Sequence, residues 1–404
     1  MSTAPLHVVV AGGGVAGLEA LLALRALGGD RVRLTLVSAE ADFVYRPLAV
    51  GQAFALGHPR RTPLRDAART AGAELVHAPV LAVDADARTV ELGDGSTLSY
   101  DALVLATGAA SEPAYERATT WDDRRSVDVL GGLLRDLEEG YTRRLAIVVP
   151  PGPGWPLPAY ELALLIAGQA YGMGAEAEIT LVTPEQAPLA IFGSKAVAMM
   201  RDELERAGIA LELGAYAEMP PGAGREVLLR PSGRRLDVER VLALPRLHGR
   251  APRGIPSDPD GFLAVDPFCR VVGVEDVWAA GDGIAFPVKF GGLATEQADA
   301  AASDIAARAG APVTPEPFRP VLRGQLLTPR TAKRRFVRFD ASGGAGEGDV
   351  SEHALWWPPS KIAGRWLAPW LAEQDADAVP GELPQEGGLP VQADLHREAP
   401  LALG

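Results

Sequence analysis

Cysteine is almost absent from this sequence, since its 404 residues include only Cys269. A single cysteine excludes an intramolecular disulfide framework, a zinc site built from several thiolates, and a redox dithiol within the chain. The surrounding residues 265–270, Val-Asp-Pro-Phe-Cys-Arg, are interpreted as a surface hairpin before the last strand of a sheet. We therefore expect Cys269 to be a small, half-buried structural thiol.

Positive charge and long apolar runs are also scarce. The chain has 39 Lys and Arg against 52 Asp and Glu, a net charge of −13, and no dense basic run, which excludes a surface for nucleic acid. No segment approaches the roughly 18 apolar residues of a membrane-spanning helix. The N-terminus has neither a charged region nor a cleavage site. We expect a cytoplasmic protein without nucleic-acid partners, and we predict no metal site.

The first forty residues have the pattern of a strand, a glycine turn, a helix and a second strand. A short buried strand covers 7–11 and an Ala- and Leu-rich helix extends to about Leu27. The second strand covers 32–37. Because parallel strands need a crossover helix, this βαβ unit predicts a Rossmann-type α/β fold.

Gly12, Gly14 and Gly17 have the spacing of a dinucleotide-binding turn. The first glycine permits a tight turn, the second lets a pyrophosphate approach the backbone, and the third lets the helix pack on the strand. The helix N-terminus, at Val15 and Ala16, supplies N–H donors and the positive end of the helix dipole. The sequence therefore predicts a dinucleotide site here.

The end of the second strand departs from the usual pattern. An acidic residue is expected there to hold a ribose hydroxyl, but Ser38 stands at that position and Glu40 follows two residues later. Both side chains can form hydrogen bonds with a ribose. We predict both as cofactor contacts, and the departure weakens the ribose assignment rather than nucleotide binding.

A second strand, loop and helix unit begins at Leu145. Its loop contains Gly152 and Gly154 but no third glycine, and bulky residues and prolines follow before a helix at 159–170. Prolines remove backbone N–H donors from the loop. We predict that ordinary NAD(P)H binding is impaired or lost here, and whether NAD(P)H binds stays open.

Three motifs in this order resemble the signatures of flavoproteins with two dinucleotide-binding domains, the pyridine nucleotide-disulfide oxidoreductase superfamily. They are the turn at Gly12, the run Tyr-Asp-x-Leu-Val-x-Ala-Thr-Gly ending at Gly108, and Ala-Gly-Asp at 280–282. Together they span residues 7 to about 310. The resemblance implies FAD as cofactor. It also implies an α/β fold of two Rossmann-like, three-layer (ββα) domains with a small C-terminal α+β cap.

The domain organisation follows from this resemblance and from changes of composition along the chain. We predict a discontinuous FAD-binding domain at 1–110 and 256–315, a second Rossmann-like domain at 111–255, and a cap or interface domain at 316–374. Residues 375–404 are acidic and rich in Pro and Gly, which predicts a disordered tail. Within the first domain, alternating residues over 74–98 predict an antiparallel meander.

The resemblance also assigns the cofactor contacts. Asp282 would bind the FAD ribityl chain, and the helix after Gly291 would point its N-terminus at the flavin pyrimidine, where it stabilises negative charge. The predicted FAD contacts are Gly12, Gly14, Val15, Ala16, Gly17, Ser38, Glu40, Arg46, Val80, Ala106, Thr107, Gly108, Gly281, Asp282, Lys289, Gly292, Leu293 and Ala294.

Residues 43–48 and 286–291 are similar to the sulfide:quinone oxidoreductase and type II NADH dehydrogenase branch. This similarity implies that Lys289, one of few lysines, lies near the flavin, where a cation stabilises the reduced ring or orients an acceptor carbonyl. A solvated surface lysine is the alternative. Glu161 matches the family's acid near a nicotinamide, and its alternative is a first-turn helix carboxylate favoured by the dipole. Lys289 and Glu161 are the candidate catalytic residues.

Two further features separate this chain from its relatives. Sulfide oxidation in the branch requires redox cysteines at the flavin, so the lone Cys269 excludes disulfide-relay chemistry on sulfide, glutathione or thioredoxin. In the second loop, Trp155, Pro158 and Tyr160 are candidates for an apolar wall over the open face of the flavin.

The C-terminal region is rich in tryptophan. Basic residues lie between the tryptophans, and a short helix is predicted around 362–371. The tryptophans are Trp356, Trp357, Trp366 and Trp370. Such a segment suits peripheral contact with the inner face of a membrane, and the alternative is a core or homodimer contact.

The favoured function is an FAD-dependent oxidoreductase. It resembles sulfide:quinone oxidoreductase without disulfide chemistry and exchanges electrons between a small organic or quinone-like substrate and the flavin. One alternative is an NAD(P)H:acceptor (quinone) oxidoreductase. Another is a flavin-binding interaction or sensor protein, in which the Trp-rich segment docks a partner.

Overall fold

The computed structural model describes residues 4–219, 226–329, 335–340 and 346–376. Within them the helices are α1 (Val15–Gly28), α2 (Ala49–Gln52), α3 (Leu64–Ala71), α4 (Ser126–Glu138), α5 (Leu157–Met173), α6 (Ser194–Arg206), α7 (Gly291–Arg308) and α8 (Leu367–Ala376). The strands are β1 (Leu6–Ala11), β2 (Val32–Ser38), β3 (Asp42–Tyr45), β4 (Arg60–Pro63), β5 (Glu74–His77), β6 (Val80–Asp84), β7 (Thr89–Leu92), β8 (Thr97–Ser99), β9 (Ala102–Leu105), β10 (Ala109–Glu112), β11 (Thr119–Thr120), β12 (Arg144–Val148), β13 (Glu178–Val182), β14 (Ala210–Glu212), β15 (Tyr216–Glu218), β16 (Glu226–Arg230), β17 (Arg235–Asp237), β18 (Arg240–Ala243), β19 (Arg246–Gly249), β20 (Val277–Ala279), β21 (Val321–Leu326), β22 (Arg335–Asp340) and β23 (Asp349–Ser351).

The first sheet has parallel strands in the order β20-β9-β1-β2-β5. Strands β1 and β2 form the predicted βαβ unit around α1, with Val8 opposite Leu34. Strands β9 and β20 lie on the other side of β1, although β9 ends at Leu105 and β20 begins only at Val277. The sheet is therefore assembled from two distant parts of the sequence.

Alternate side chains of this sheet enter two different cores. Val8, Val10 and Leu34 pack with α1 and α7, whereas Val9 and Leu103 pack with the antiparallel strands β6, β7 and β8. Successive residues of a strand point to opposite faces, so both faces are covered. The result is the predicted three-layer arrangement of helices, parallel sheet and meander.

The second sheet repeats this arrangement in the order β11-β18-β12-β13-β14. Leu145 and Ile147 of β12 pack with α4, α5 and α6, and Ala146 and Val148 pack with the meander of β15, β16 and β17. The chain enters and leaves this part through the antiparallel pair β10 and β19. The α/β fold is confirmed, while the predicted domain boundaries stay predictions.

Segment 74–98 is not one meander, as the alternation of its residues predicted. Residues 74–77 form β5, the parallel edge strand next to β2, with Leu36 opposite Leu75. Only β6 to β8 form the antiparallel meander. Period-two alternation is the same in parallel and antiparallel edge strands, so the pattern did not distinguish them.

The C-terminal region combines the antiparallel strands β21, β22 and β23 with α8. The helix predicted around 362–371 is wrong in position, because α8 begins at Leu367 and ends at Ala376. Glu19 of α1 accepts the backbone N–H groups of Trp366 and Leu367 at 2.8 and 2.7 Å, which fixes the beginning of α8. The first two residues of the predicted disordered tail are therefore helical, and residues 377–404 lie outside the described residues.

The tryptophans of the C-terminal region differ in exposure. Trp370 is 6% exposed and its Nε1 donates to Thr70 Oγ1 at 3.1 Å. Trp356 packs edge-on against Phe336 at a centroid distance of 5.4 Å, and Trp357 is 48% exposed. Trp370 thus fits the core alternative. No helix among the described residues is both long and apolar enough to cross a membrane.

Cys269 is fully buried, so the prediction of a half-buried thiol in a surface hairpin is wrong. Its side chain lies in the core beneath α1 and α7, because the turn before β20 folds inward and Ala279 N–H donates to the Cys269 carbonyl at 2.9 Å. Burial raises the pKa of the Cys269 thiol to about 12, and the neighbouring Asp266 carboxylate adds to the shift.

This burial predicts an inert thiol. At pH 8 a thiol with a pKa of about 12 is ionised to roughly one part in ten thousand, so a thiol-specific disulfide reagent should label the folded protein at least about a hundredfold more slowly than the urea-unfolded protein. Absorbance of the released chromophore measures both rates. Fast labelling of the folded chain would contradict the buried placement.

Candidate functional site

The turn between β1 and α1 has the geometry that a dinucleotide needs. Gly12 has φ +125°, and a Cβ there would lie closer than 3.0 Å to the Ala106 carbonyl oxygen. A Cβ at Gly17 would overlap the Gly12 carbonyl oxygen. A Cβ at Gly14 would have no neighbouring atom within 4 Å. Packing therefore requires glycine at positions 12 and 17, and Gly14 leaves the backbone accessible to a ligand.

The open side of this turn faces the N-terminus of α1, where Val15 and Ala16 begin the helix. Leu18 N–H is the first to reach an acceptor within the helix, the Gly14 carbonyl at 2.9 Å, so earlier N–H groups remain as donors for an anion. Open space beside a helix N-terminus fits the pyrophosphate of FAD.

Ser38 and Glu40 adjoin this turn at the end of β2. Ser38 is 5% exposed and its Oγ accepts Glu40 N–H at 3.2 Å, while the Glu40 side chain is exposed. A Cβ at Gly13 would lie 2.9 Å from Ser38 Oγ. Ser38 therefore lies against the turn, and the ribose contacts of both residues stay predictions.

The ends of β9 and β20 meet the same edge of the sheet. Ala280 N–H donates to the Leu105 carbonyl at 3.1 Å, and a Cβ at Gly283 would lie 3.2 Å from the Gly108 carbonyl oxygen. The predicted contacts at 106–108 and 281–282 are thus brought together although they are far apart in sequence. In this fold class, the residues of a ligand site typically lie at the carboxyl ends of the parallel strands.

Gln297 holds part of this edge and was missed from the sequence. Its side-chain oxygen accepts the Gly281 N–H at 2.8 Å, and Gln297 is 3% exposed on α7. The contact fixes the turn at Asp282 to the helix whose N-terminus includes Gly292, Leu293 and Ala294. No sequence signal marked Gln297, because its partner is a backbone group of another element.

Asp282 and Lys289 lie close enough beside this turn for their charges to interact. Asp282 is half-buried, and burial raises the pKa of its carboxyl while the Lys289 ammonium opposes that shift. Lys289 is 5% exposed, donates to the Ile284 carbonyl and lies 3.9 Å from the centroid of the Phe262 ring. The solvated-surface alternative for Lys289 is therefore wrong. Burial lowers the pKa of Lys289 to about 8. Its role at the flavin stays a prediction.

Arg46 and Val80 lie further from the glycine turn. Arg46 pairs with Asp123 at 3.2 Å, which joins the first part of the chain to the second. Val80 is the half-buried first residue of β6 and packs in the core of the meander. Their contacts with FAD stay predictions.

The loop before α5 is bound to the segment that follows Asp282. Gly154 N–H donates to the Pro287 carbonyl and the Gly154 carbonyl accepts Lys289 N–H, both at 3.1 Å. Trp155 stacks on Phe290 at a centroid distance of 4.5 Å and an interplanar angle of 24°. Backbone groups that could face a second dinucleotide are thus used within the protein.

Glu161 lies inside α5 and is 1% exposed. Its Oε1 accepts Lys361 Nζ at 2.6 Å and Leu327 N–H at 2.7 Å. Burial raises the pKa of Glu161, and the ammonium of Lys361 opposes the shift. The alternative of a first-turn helix carboxylate is wrong, because α5 begins at Leu157 and has no acid in its first turn, and Glu161 forms a buried ion pair. The sequence reasoning missed Lys361 as the partner of Glu161, and the small number of lysines was the one signal that could have drawn attention to it.

Tyr160 does not belong to the predicted apolar wall. It is fully buried, and its hydroxyl donates to Glu185 Oε2 at 2.6 Å. Glu185 follows β13 closely, the position where the second strand of a Rossmann unit carries its ribose acid. Burial raises the pKa of both side chains. The sequence reasoning missed Glu185, although its place after the second strand of the unit was a usable signal.

Residues 6–304 match the profile of the family described as pyridine nucleotide-disulphide oxidoreductase. The chain belongs to this family. Members of the family, including ferredoxin reductases, use FAD and NAD(P)H. The enzyme is thus an FAD-dependent oxidoreductase, and the geometry of the turn at Gly12, Gly14 and Gly17 fits that cofactor. The resemblance identified from the sequence motifs is confirmed.

Individual relatives have different activities. The chlorobenzene dioxygenase ferredoxin reductase component of Cupriavidus is 28% identical over 305 residues, 71% of this chain and 69% of the relative. An NADH dehydrogenase-like protein of Mycobacterium tuberculosis is 31% identical over 304 residues, 68% of this chain and 72% of the relative. The solved sulfide:quinone oxidoreductase of Aquifex aeolicus superimposes with a TM-score of 0.73 at 19% identity, covering 86% of each chain.

The three glycines provide a matched test of the cofactor site. Gly14→Ala should change the free energy of unfolding of the FAD-free protein by about 1 kcal/mol or less, because the Cβ meets open space. The same variant should raise the FAD dissociation constant at least about tenfold, since the methyl group occupies the approach of the pyrophosphate.

Gly17→Ala is the comparison variant. Its Cβ overlaps the Gly12 carbonyl, so it should lower the stability of the FAD-free protein by about 2 kcal/mol. Urea unfolding and flavin fluorescence titration measure the two quantities. Undiminished FAD affinity in Gly14→Ala would show that the cofactor does not use this turn.

Proposed function

We propose that this FAD-dependent enzyme exchanges electrons directly between its flavin and a small organic or quinone-like substrate. In this proposal it uses neither a thiol relay nor a pyridine nucleotide in the second domain. The observation that carries the proposal is the closed loop at Gly154, whose N–H and carbonyl both bind the segment 287–289.

The chemistry of that loop argues against a second dinucleotide. A pyrophosphate needs several backbone N–H donors at a glycine turn and helix N-terminus. Here Gly154 N–H already has an acceptor at 3.1 Å, and the prolines of the loop have no N–H. The prolines of the loop are Pro150, Pro151, Pro153 and Pro156, and Pro158 lies in the first turn of α5. Fewer backbone N–H donors remain than in a complete glycine turn, which argues against a bound pyrophosphate.

The thiol relay is excluded by the placement of the only cysteine. Cys269 lies in the hydrophobic core and is 0% exposed. A disulfide relay needs a thiolate that can attack and a second thiol to resolve the product. Neither is present in the folded chain, which supports direct exchange of electrons between the substrate and the cofactor.

The chain's own groups prepare the site for this exchange. FAD, when bound, supplies the redox chemistry, because its ring accepts and returns electrons one or two at a time. The turn at Gly12–Gly17 and the N-terminus of α1 hold the pyrophosphate, and Asp282 lies where the resemblance places the ribityl chain. The N-terminus of α7 favours negative charge on the reduced ring.

Apolar side chains surround the junction of the two loops and suit a planar substrate. Phe286, Val288 and Trp155 are half-buried around the segment after Asp282. Phe286 also packs edge-on against Phe318 at a centroid distance of 5.5 Å. Aromatic and aliphatic surfaces of this kind bind an apolar ring, with a few polar groups to orient its carbonyls.

The surroundings of Glu185 favour NADH:acceptor oxidoreduction as a second candidate. Glu185 has the position of an NAD ribose acid after β13, and a Cβ at Gly152 or Gly154 would meet no atom within 4 Å. A ribose would have to displace the Tyr160 hydroxyl from Glu185, where it donates at 2.6 Å. An acid at this position selects NADH over NADPH, because it repels the 2′-phosphate.

The same proposal suggests where in the cell the protein works. A quinone-like substrate dissolves in membranes, and Trp357, 48% exposed, is the apolar side chain of the Trp-rich region that can reach an interface. We propose a cytoplasmic enzyme that contacts the inner face of the membrane there. A homodimer contact through the same side chain is the alternative.

The first experiment separates these two candidates by flavin absorbance under anaerobic conditions. Holoenzyme reduced with stoichiometric dithionite should be reoxidised by a short-chain quinone, because the apolar junction admits its ring. Oxidised holoenzyme should be bleached by NADH or NADPH at least about a hundredfold more slowly than by the matching quinol. Rapid bleaching by NADH would overturn the proposal.

Two variants identify the cause of either result. Trp155→Ala removes the ring stacked on Phe290, and it should accelerate bleaching by NADH if this stack closes the second site. Glu185→Gln should leave reaction with quinone unchanged in the favoured function. In the second candidate it should weaken the preference for NADH over NADPH.

A further inference from the structure

The segment Lys361–Leu367 joins the C-terminal region to both dinucleotide-binding parts. Lys361 binds Glu161 of α5 through the buried ion pair at 2.6 Å. Ile362 N–H donates to the Tyr45 hydroxyl of β3 at 3.0 Å. One short segment therefore spans from the second domain to the first.

The same segment lies on the first turns of α7. A Cβ at Gly291 would lie 3.0 Å from Ile362, and a Cβ at Gly364 would lie 3.0 Å from the Thr295 methyl group. The Thr295 hydroxyl donates to the Gly292 carbonyl at 2.7 Å, and its oxygen lies 3.5 Å from the Ala363 carbonyl oxygen. Because α7 is the helix whose N-terminus the family directs at the flavin, the segment covers that end of the cofactor site.

Glu19 holds the far end of the segment. Its two carboxylate oxygens accept the N–H groups of Trp366 and Leu367 at 2.8 and 2.7 Å. It is fully buried, and a Cβ at Gly364 would lie 2.5 Å from Glu19 Oε2. The segment itself covers Glu19, so this carboxyl group becomes exposed to water only when the segment moves away from it.

A second carboxyl, Asp299 of α7, lies close enough to Glu19 to interact with its charge. Asp299 Oδ1 is buried and has no hydrogen-bond partner. A buried ionised oxygen without a partner is strongly unfavourable. The other charges facing the pair are Arg365 of the segment and Glu296 of α7, and Glu296 is itself paired with Arg323 of β21. The Trp366 side chain also donates a hydrogen bond to Asp299. One exposed arginine and this hydrogen bond do not balance the charges of the fully buried Glu19 and the half-buried Asp299.

We propose that the packing of the segment Lys361–Leu367 onto the N-terminal turns of α7 depends on a proton. The segment is docked while the Glu19–Asp299 pair carries a proton, and it is released when both carboxylates ionise. Glu19 is thus a positioning residue, which acts on the cofactor site through the segment and not by contact with FAD.

The direction of the pH dependence follows from linkage. Burial raises the pKa of Glu19 from about 4.5 to about 7, and it raises the pKa of Asp299 well above its ordinary value. A group with a raised pKa in the docked state stabilises docking at low pH, and this stabilisation is lost as pH rises towards that pKa. The opening constant should therefore rise between about pH 5 and pH 7, at most about tenfold per pH unit.

Hydrogen–deuterium exchange of the holoenzyme tests this proposal. Protection of the Trp366 and Leu367 amides, corrected for the intrinsic exchange rate at each pH, should fall about thirty- to a hundredfold from pH 5 to pH 7 and then level off. The FAD dissociation constant should rise over the same range. Protection that is constant with pH in the unmodified protein overturns the proposal, whatever the variants do.

The variants show whether the carboxylate pair causes the effect. Asp299→Asn and Glu19→Gln should each remove most of the pH dependence, because one carboxyl can no longer ionise. Glu373→Gln removes an exposed carboxylate from α8 and should behave as the unmodified protein. If Asp299→Asn keeps the full pH dependence while folded, the pair is not the switch.

Discussion

Two helix N-termini directed at one edge of a parallel sheet are the constraint on which the rest of this structure depends. The turn at Gly12–Gly17 lets α1 begin directly against β1 and β9, and α7 packs along α1 through small side chains. Each helix brings unpaired N–H groups and a partial positive charge to this edge. In the proposed function a dinucleotide anion would lie against both ends, so the cofactor site would depend on the way these helices pack.

The same constraint explains why the C-terminal region is part of the site. The N-terminal turns of α7 have small residues at Gly291 and Gly292, and the segment Lys361–Leu367 packs onto them. The segment is fixed by Glu161, Tyr45 and Glu19, which belong to three different elements. A distant part of the chain thereby packs onto the N-terminal turns of α7. In the proposal above, the buried carboxyl groups beneath it make this docking dependent on protonation.

The second parallel sheet forms without a third glycine in the loop before α5. Its strands and helices bury apolar cores on both faces of the sheet, because strand pairing and helix packing do not need the glycine loop. The loop instead binds the segment after Asp282 through Gly154 and the Trp155–Phe290 stack. The loop that corresponds to a dinucleotide turn is thus in contact with the segment 287–290, while Glu185 has the position of a ribose acid after β13.

The sequence by itself determined the βαβ units, the glycine turn, the family and the cofactor, because these depend on local spacing and on residue types required at fixed positions. Tertiary structure alone decided the environments of Cys269, Lys289 and Glu161, which are all buried. The sequence had suggested a half-buried thiol and left open a solvated lysine and a first-turn helix carboxylate. Tertiary structure also decided where α8 begins and which acidic side chains form ion pairs. Burial and ion pairing arise between elements that are distant in the chain, such as Glu161 with Lys361, and no local pattern encodes which of these groups will meet.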